Sequence, residues 1–214
     1  MAETLYKHKT SAPPRPTVAN TDSMAGAHTQ ARESFLEDVA WTRLIKIGDW
    51  VLDRSTEKIV GGGTHAYLVS RSEFGATPFI VTAQLQFTAF GENSIPANPN
   101  INAGIVFGWN SESHNPKYYN ILLGGTSILL ERIGFKGGDA FRDYEHISKE
   151  IPFILEEKRI YQFTVKFASH AIDLFSDNQL IWSFAKPGDI GGRVGLRPWR
   201  SQVHCSSFVA STVF

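Results

Sequence analysis

From residue 35 onward, hydrophobic side chains recur at every second position. Pro78–Phe90 shows this best: Phe79, Val81, Ala83, Leu85, Phe87 and Ala89 share one face, and Thr82, Gln84, Gln86 and Thr88 the other. That alternation is the mark of a long half-buried strand. Arg159–Ala168 repeats it, with Tyr161, Phe163, Val165 and Phe167 set against Gln162, Thr164 and Lys166, while Val203–Phe214 alternates less cleanly. Shorter β-type runs are Thr42–Ile47, His65–Ser70, Asn102–Trp109, Tyr118–Leu123, Ser127–Ile133, Ala171–Phe175, Leu180–Phe184 and Arg193–Leu196. Only Arg32–Ala40 reads as helix, with Phe35, Leu36, Val39 and Ala40 on one side. Asp177-Asn178 tolerates positive φ and predicts a tight hairpin between its flanking strands. Gly61-Gly62-Gly63, Gly124-Gly125 and the stretch Gly188–Gly192 predict further breaks, and Gly91–Ile101 and Gly134–Glu150 predict long loops. About ten or more strands without intervening helices predict an all-β antiparallel sandwich or barrel. No fixed-period repeat is present, which excludes a propeller or solenoid.

Residues 1–34 break the pattern. They carry Pro13, Pro14 and Pro16 but only Leu5, Tyr6 and Val18 as large apolar residues, too few to offset the entropy of ordering. They are expected to form a flexible tail, or an arm that orders on a partner, ahead of one domain over residues 35–214. The composition narrows the classes further. A single cysteine excludes an internal disulfide and a multi-cysteine zinc site. With 21 basic and 21 acidic side chains the formal charge is zero, which argues against nucleic acid or an anionic membrane surface as partner. The N-terminus has no basic segment followed by an apolar stretch, so the expected location is the cytoplasm; unconventional export or a virion stays open.

The order of motifs resembles a known superfamily. Gly48-Asp49-Trp50-Val51-Leu52-Asp53 followed by Gly61-Gly62-Gly63 is similar to the entry of concanavalin A-like lectin/glucanase jelly rolls. Asn102–Phe107 with Tyr118–Ile121 resembles its central strand pair, Ile172–Ile181 its hairpin, and Gly192–Arg197 with Val203–Ala210 its closing element. Asn178 stands where the family has glycine, and asparagine also accepts that backbone conformation. Laminin-G-like and 3-keto-disaccharide hydrolase-like domains are the nearest flavours. The resemblance covers about residues 35–214 and implies two antiparallel sheets packed face to face, one of them concave.

This architecture hosts lectins, hydrolases and adhesion modules, so function has to come from the residues. The family's glucanases carry Glu-x-Asp-x-x-Glu on one strand, which sets alternate acids on one face. No such string occurs here, and no G-x-S-x-G elbow or nucleotide loop either. No catalytic residue is therefore assigned; Glu131 and Asp173 are the carboxylates to test if the chain hydrolyses glycosides. Cys205 and His204 are sequence neighbours on a strand and face opposite ways, so Cys205 reads as a core thiol. The seven histidines lack ligand spacing, and no cofactor is expected. Calcium would have only Asp139, Asp143 and Glu145, in a stretch that reads better as a solvated loop.

The positive signal is aromatic and planar-polar. Sugars present an apolar C–H face and a rim of hydroxyls, which call for flat aromatic platforms and side chains that donate and accept together. Trp109, Asn110, Tyr118, Arg132, Arg197 and Trp199 are the candidate binding residues. Strict alternation sets Trp109 on the face of Ala103, Ile105 and Phe107, where it could equally be core. Gln84, Gln86 and Thr88 could line a concave face or an ordinary wet one. The leading expectation is a non-catalytic, lectin-like module holding a glycan on a concave sheet face or rim loops. The alternatives are an assembly protein, such as a virion or phage component whose N-terminal arm docks on a neighbour and supports an oligomer, and a glycoside-processing hydrolase.

Overall fold

The computed structural model describes residues 32–37, 41, 43–74, 78–89, 102–110, 117–135, 143–188, 190–199 and 201–213. The tail at residues 1–31, the first long loop at 91–101 and residues 136–142 of the second lie outside them. The described residues form strands β1 (Arg32–Ser34), β2 (Ile45–Asp53), β3 (Lys58–Val69), β4 (Phe79–Ala89), β5 (Asn102–Trp109), β6 (Tyr118–Gly124) and β7 (Ser127–Ile133). They continue with β8 (Tyr144–His146), β9 (Ile151–Pro152), β10 (Ile160–Phe167), β11 (Ala171–Ser176), β12 (Gln179–Ala185), β13 (Arg193–Pro198) and β14 (Ser201–Thr212).

One hydrogen-bonded path runs β12-β11-β10-β4-β14-β3-β13-β5-β6-β7-β8, with every pair antiparallel. It folds into two layers because β3 changes partner along its length. Ile59–Gly63 pairs with β14, whereas Leu68 and Val69 pair with β13. The glycine triplet expected to end a strand instead lies inside β3, at this turn from one layer to the other. Gly63 has φ 111°, and a Cβ on Gly61 would fall 2.1 Å from the Trp50 ring, so Trp50 lies over the space that the missing side chain leaves. That accounts physically for the tryptophan-then-glycine pairing read in the sequence. β2 follows the same bend through a bulge at Gly48, φ 84°.

The inward faces of the two layers meet in a core of alternating residues, as the period-two pattern required. Phe107 of β5 meets Phe167 of β10 edge-on at 4.9 Å, and Phe79 stacks on Phe167 at 4.1 Å. Each such ring contributes about 1.5–3 kcal/mol of burial free energy. On the outside of the first layer, Gln84, Gln86 and Thr88 take part in polar contacts with Ser206, the Lys158 carbonyl and Gln202.

The helical reading of Arg32–Ala40 is corrected at its start. Arg32–Ser34 pairs with Val209–Ser211 of β14, and Phe35 stacks on Phe208 at 4.1 Å, because an open sheet edge offers three backbone partners that an isolated helical turn lacks. At the other hairpin the expectation holds: Asp177 and Asn178 have φ 49° and 67°.

Two predictions follow from the frame. Cys205 is fully buried among apolar neighbours, and burial pushes its thiol up to about 12. It should resist a water-soluble maleimide for as long as the protein stays folded and react at once in denaturant; labelling of native protein would sink the assignment. Asp53 closes the β2–β3 turn, accepting from the Ser55 hydroxyl at 2.7 Å, the Thr56 hydroxyl at 2.8 Å and the Ser55 N–H at 2.9 Å. Those bonds hold its carboxyl down to about 2 from the usual 3.8. The turn is therefore favoured fully above pH 3.8 and released as the pH falls through about 2. Carbon-13 titration of the Asp53 carboxyl checks this, and a midpoint near the ordinary value would refute it.

Candidate functional site

The second layer carries an unusual outer face. Strand parity sends Tyr118 and Asn120 of β6, Glu131 of β7, Tyr144 and His146 of β8, Tyr67 of β3 and Arg197 of β13 to that side. Trp109 joins them against the alternation. Gly108 has φ 66°, and the β13–β5 register shifts between Arg193 and Gly195, so the chain gains one residue and the next side chain flips over. Trp109 therefore leaves the face of Ala103, Ile105 and Phe107: it is buried, as the core reading expected, but in a second apolar cluster with Tyr67, Val106 and Tyr118 on the other side of the sheet. It stacks on Tyr118 at 5.1 Å and leans on Tyr67 at 5.1 Å.

On this aromatic base sits a polar set. The Tyr67 and Tyr118 hydroxyls share a hydrogen bond of 2.9 Å. Burial pushes Tyr118 well above the ordinary tyrosine value, with the Arg197 charge pulling the other way. Asn120 Nδ2 donates to Glu131 Oε2 at 3.0 Å, and Arg197 Nη1 lies 3.7 Å from the same oxygen. His146 Nε2 lies 3.3 Å from Glu131 Oε1. Arg197 is also held by Tyr67, and its guanidinium lies 4.9 Å over the Trp199 ring. Burial works against its charge, but Tyr118, Tyr67 and Glu131 outweigh it and keep the guanidinium above the usual arginine range. Asn120 fits because β5 has no side chain at Gly104: a Cβ there would fall 1.7 Å from Asn120 Oδ1.

The set grades from wet to dry. The Tyr144 residue is 56% exposed and the His146 side chain 49%, the Glu131 side chain 7%, and Trp109 and Tyr118 are fully buried. Tyr144 and His146 pack as neighbouring rings at 5.7 Å, tilted 37° to one another, along the exposed rim. Trp109 Nε1, Asn120 Oδ1 and Arg197 Nε are buried without a hydrogen-bond partner, two donors and one acceptor of unspent capacity. Buried polar atoms without a protein partner are rare in folded proteins, and three of them gathered on one face set it apart from the rest of the sheet.

Of the residues selected from the sequence, Trp109, Tyr118, Arg197 and Trp199 come together. Asn110 does not: it is exposed at the end of β5, where its side chain accepts from the Lys117 N–H at 3.4 Å. Arg132 points to the opposite face of β7 and donates Nε and Nη2 to Glu145 Oε2 at 3.0 and 2.8 Å. Sequence reasoning passed over Tyr67, Asn120, Tyr144 and His146 as site residues and held Glu131 only as a hydrolase carboxylate. The one available signal was the parity of Tyr118 and Asn120; pairing of Asn120 with Glu131, and of Glu131 with His146, is register, which one strand does not reveal. Asp173 bonds to Ser183 at 2.6 Å on the first layer, so it shares no face with Glu131. Glu145 is taken by Arg132 and Asp139 lies outside the described residues; among these no cluster of three or more metal-ligating side chains occurs.

No family model and no curated protein matches the chain. Solved structures do. The carbohydrate-binding module CBM66 from Bacillus subtilis superposes with a TM-score of 0.59 at 12% identity, over 77% of this chain and 91% of that one. The fold is the concanavalin A-like jelly roll. The potassium-bound carbohydrate recognition domain of Emp46p matches at 0.54 and 11% identity, covering 79% of this chain and 88% of that one. The Crh5 transglycosylase in complex with NAG matches at 0.55 and 9% identity, over 88% and 86%. At such identities the likeness carries the jelly-roll fold alone, and the reading of the site has to come from its own side chains.

Proposed function

We propose that this jelly roll is a carbohydrate-binding module whose site is the outer face of its second layer. The observation that carries the reading is the Asn120–Glu131–Arg197 set, aromatic-walled and left with unspent hydrogen-bonding atoms. A sugar hydroxyl donates and accepts at once, and the half-exposed His146 imidazole, paired to Glu131, is the group of this set that a ring edge can reach. At the rim the exposed Tyr144 ring offers a face for the C–H side of a pyranose, with His146 tilted beside it. Binding proteins among the fold's neighbours support this reading, as CBM66 and the Emp46p domain do by name. Among the described residues the partners of Glu131 are Asn120, His146 and Arg197, none of them a second carboxylate, which favours binding over two-acid hydrolysis.

A glycan array with the full chain, followed by calorimetric titration of the best hit, tests it. Tyr144→Ala removes an exposed ring and should weaken binding about three- to tenfold, the 0.5–1.5 kcal/mol scale of one aromatic contact, with an unchanged melting temperature. Gly104→Ala drives Asn120 off Glu131 and should reduce binding further. No response to any saccharide class would overturn the proposal.

A further inference from the structure

A second cleft, of about 400 Å3, opens on the other side of β7, where the edges of the two layers part. Tyr119, Leu130 and Ile147 line it from the second layer, and Trp182 and Phe184 of β12 from the first. Tyr119, Ile147, Trp182 and Phe184 are only partly buried, Leu130 forms the buried floor, and Trp182 and Phe184 lie 4.4 Å apart as a continuous apolar wall. The volume falls within the range that takes a small ligand.

The charged groups that line it are cationic. Arg132 and Lys149 line the cleft, and no carboxylate does. Arg132 is neutralised by Glu145, outside the lining, while among the described residues no carboxylate pairs with the Lys149 ammonium. Few groups remain for a sugar's hydroxyls. The Ser148 hydroxyl accepts from the Leu130 N–H at 2.9 Å and donates to the Lys149 carbonyl at 3.1 Å. An apolar wall with one open cation and committed hydrogen-bond partners complements a compact apolar body carrying one negative charge.

We infer that the cleft between β7 and β12 binds small amphipathic anions, aromatic or aliphatic rings bearing a carboxylate or sulfonate, independently of the saccharide site. The probe is 8-anilinonaphthalene-1-sulfonate, titrated into the full chain by fluorescence, against N-phenyl-1-naphthylamine, the same rings without the charge. One molecule of the anion should bind at least tenfold tighter than the neutral amine, and its affinity should fall with added salt. Ala185→Trp, on the exposed edge of β12, fills the cleft and should lose binding tenfold or more. Lys149→Glu, at an exposed position, should lose about fivefold or more; it decides the matter should the tryptophan variant misfold. Equal affinity for the two probes, wild-type binding by Lys149→Glu, or displacement of the probe by a saccharide would each overturn the inference.

Discussion

Replacing Arg197 by methionine is expected to lower folding stability by about 3–5 kcal/mol, the cost of breaking a buried pair from one side, and to abolish saccharide binding. The physical reason is the environment of Glu131. Its side chain is 7% exposed, and among the described residues its partners are Asn120, His146 and Arg197. Without the guanidinium, a nearly dry carboxylate keeps one amide and a half-exposed imidazole. Arg197→Lys should lie between, since an ammonium keeps the charge but neither lies flat on Trp199 nor reaches Tyr67 and Glu131 together. The double variant Glu131→Leu/Arg197→Met should recover most of the stability and none of the binding, because it removes both charges at once. Urea denaturation of wild type, Arg197→Met, Glu131→Leu and the double variant reads the coupling. A single variant within about 0.5 kcal/mol of wild type, the scale of an ordinary surface change, would show that the pair does not hold this face together.

The second large effect is expected at Gly195. A Cβ there would stand 2.2 Å from the Leu68 carbonyl oxygen and 2.9 Å from the Val69 Cα. Both are backbone atoms of β3, at the stretch where that strand passes into the second layer, so no rotamer relieves the clash. Gly195→Val has to move β13 off β3, at the joint that carries one layer into the other. We expect a loss of at least about 3 kcal/mol, at the upper end of overpacking costs, or no soluble protein at all. Gly188 is the control. It has φ 69° but open space around its Cβ position, so Gly188→Ala should cost only about 1 kcal/mol of backbone strain. Chemical denaturation of Gly195→Val and Gly188→Ala side by side separates contact from conformation. Equal costs would mean that close approach of β13 and β3 is not what Gly195 secures.

The core was largely legible in the sequence. Alternation in Pro78–Phe90 and Arg159–Ala168 picked out the buried rings, since a strand's side chains have only two directions and burial selects one. The site was legible in part. Trp109, Tyr118, Arg197 and Trp199 stood out as aromatic and planar-polar residues at strand ends. Asn120, Glu131 and His146 did not, because each belongs to a different strand and only the β6–β7–β8 register sets them in a row.

By itself, then, the sequence determined an all-β chain, its hairpin at Asp177-Asn178, its buried thiol and its inward faces. These are local matters: the period of two, the residues that accept positive φ, and the preference of an apolar side chain for the interior. Tertiary structure alone decided that β3 bends through its glycines rather than ending at them, and that Gly108 turns Trp109 outward. It also decided that Arg132 and Arg197 lie on opposite sides of one sheet. One inserted residue reverses every side chain beyond it, and pairing across strands is a long-range choice made by packing. The candidate site exists only at that level.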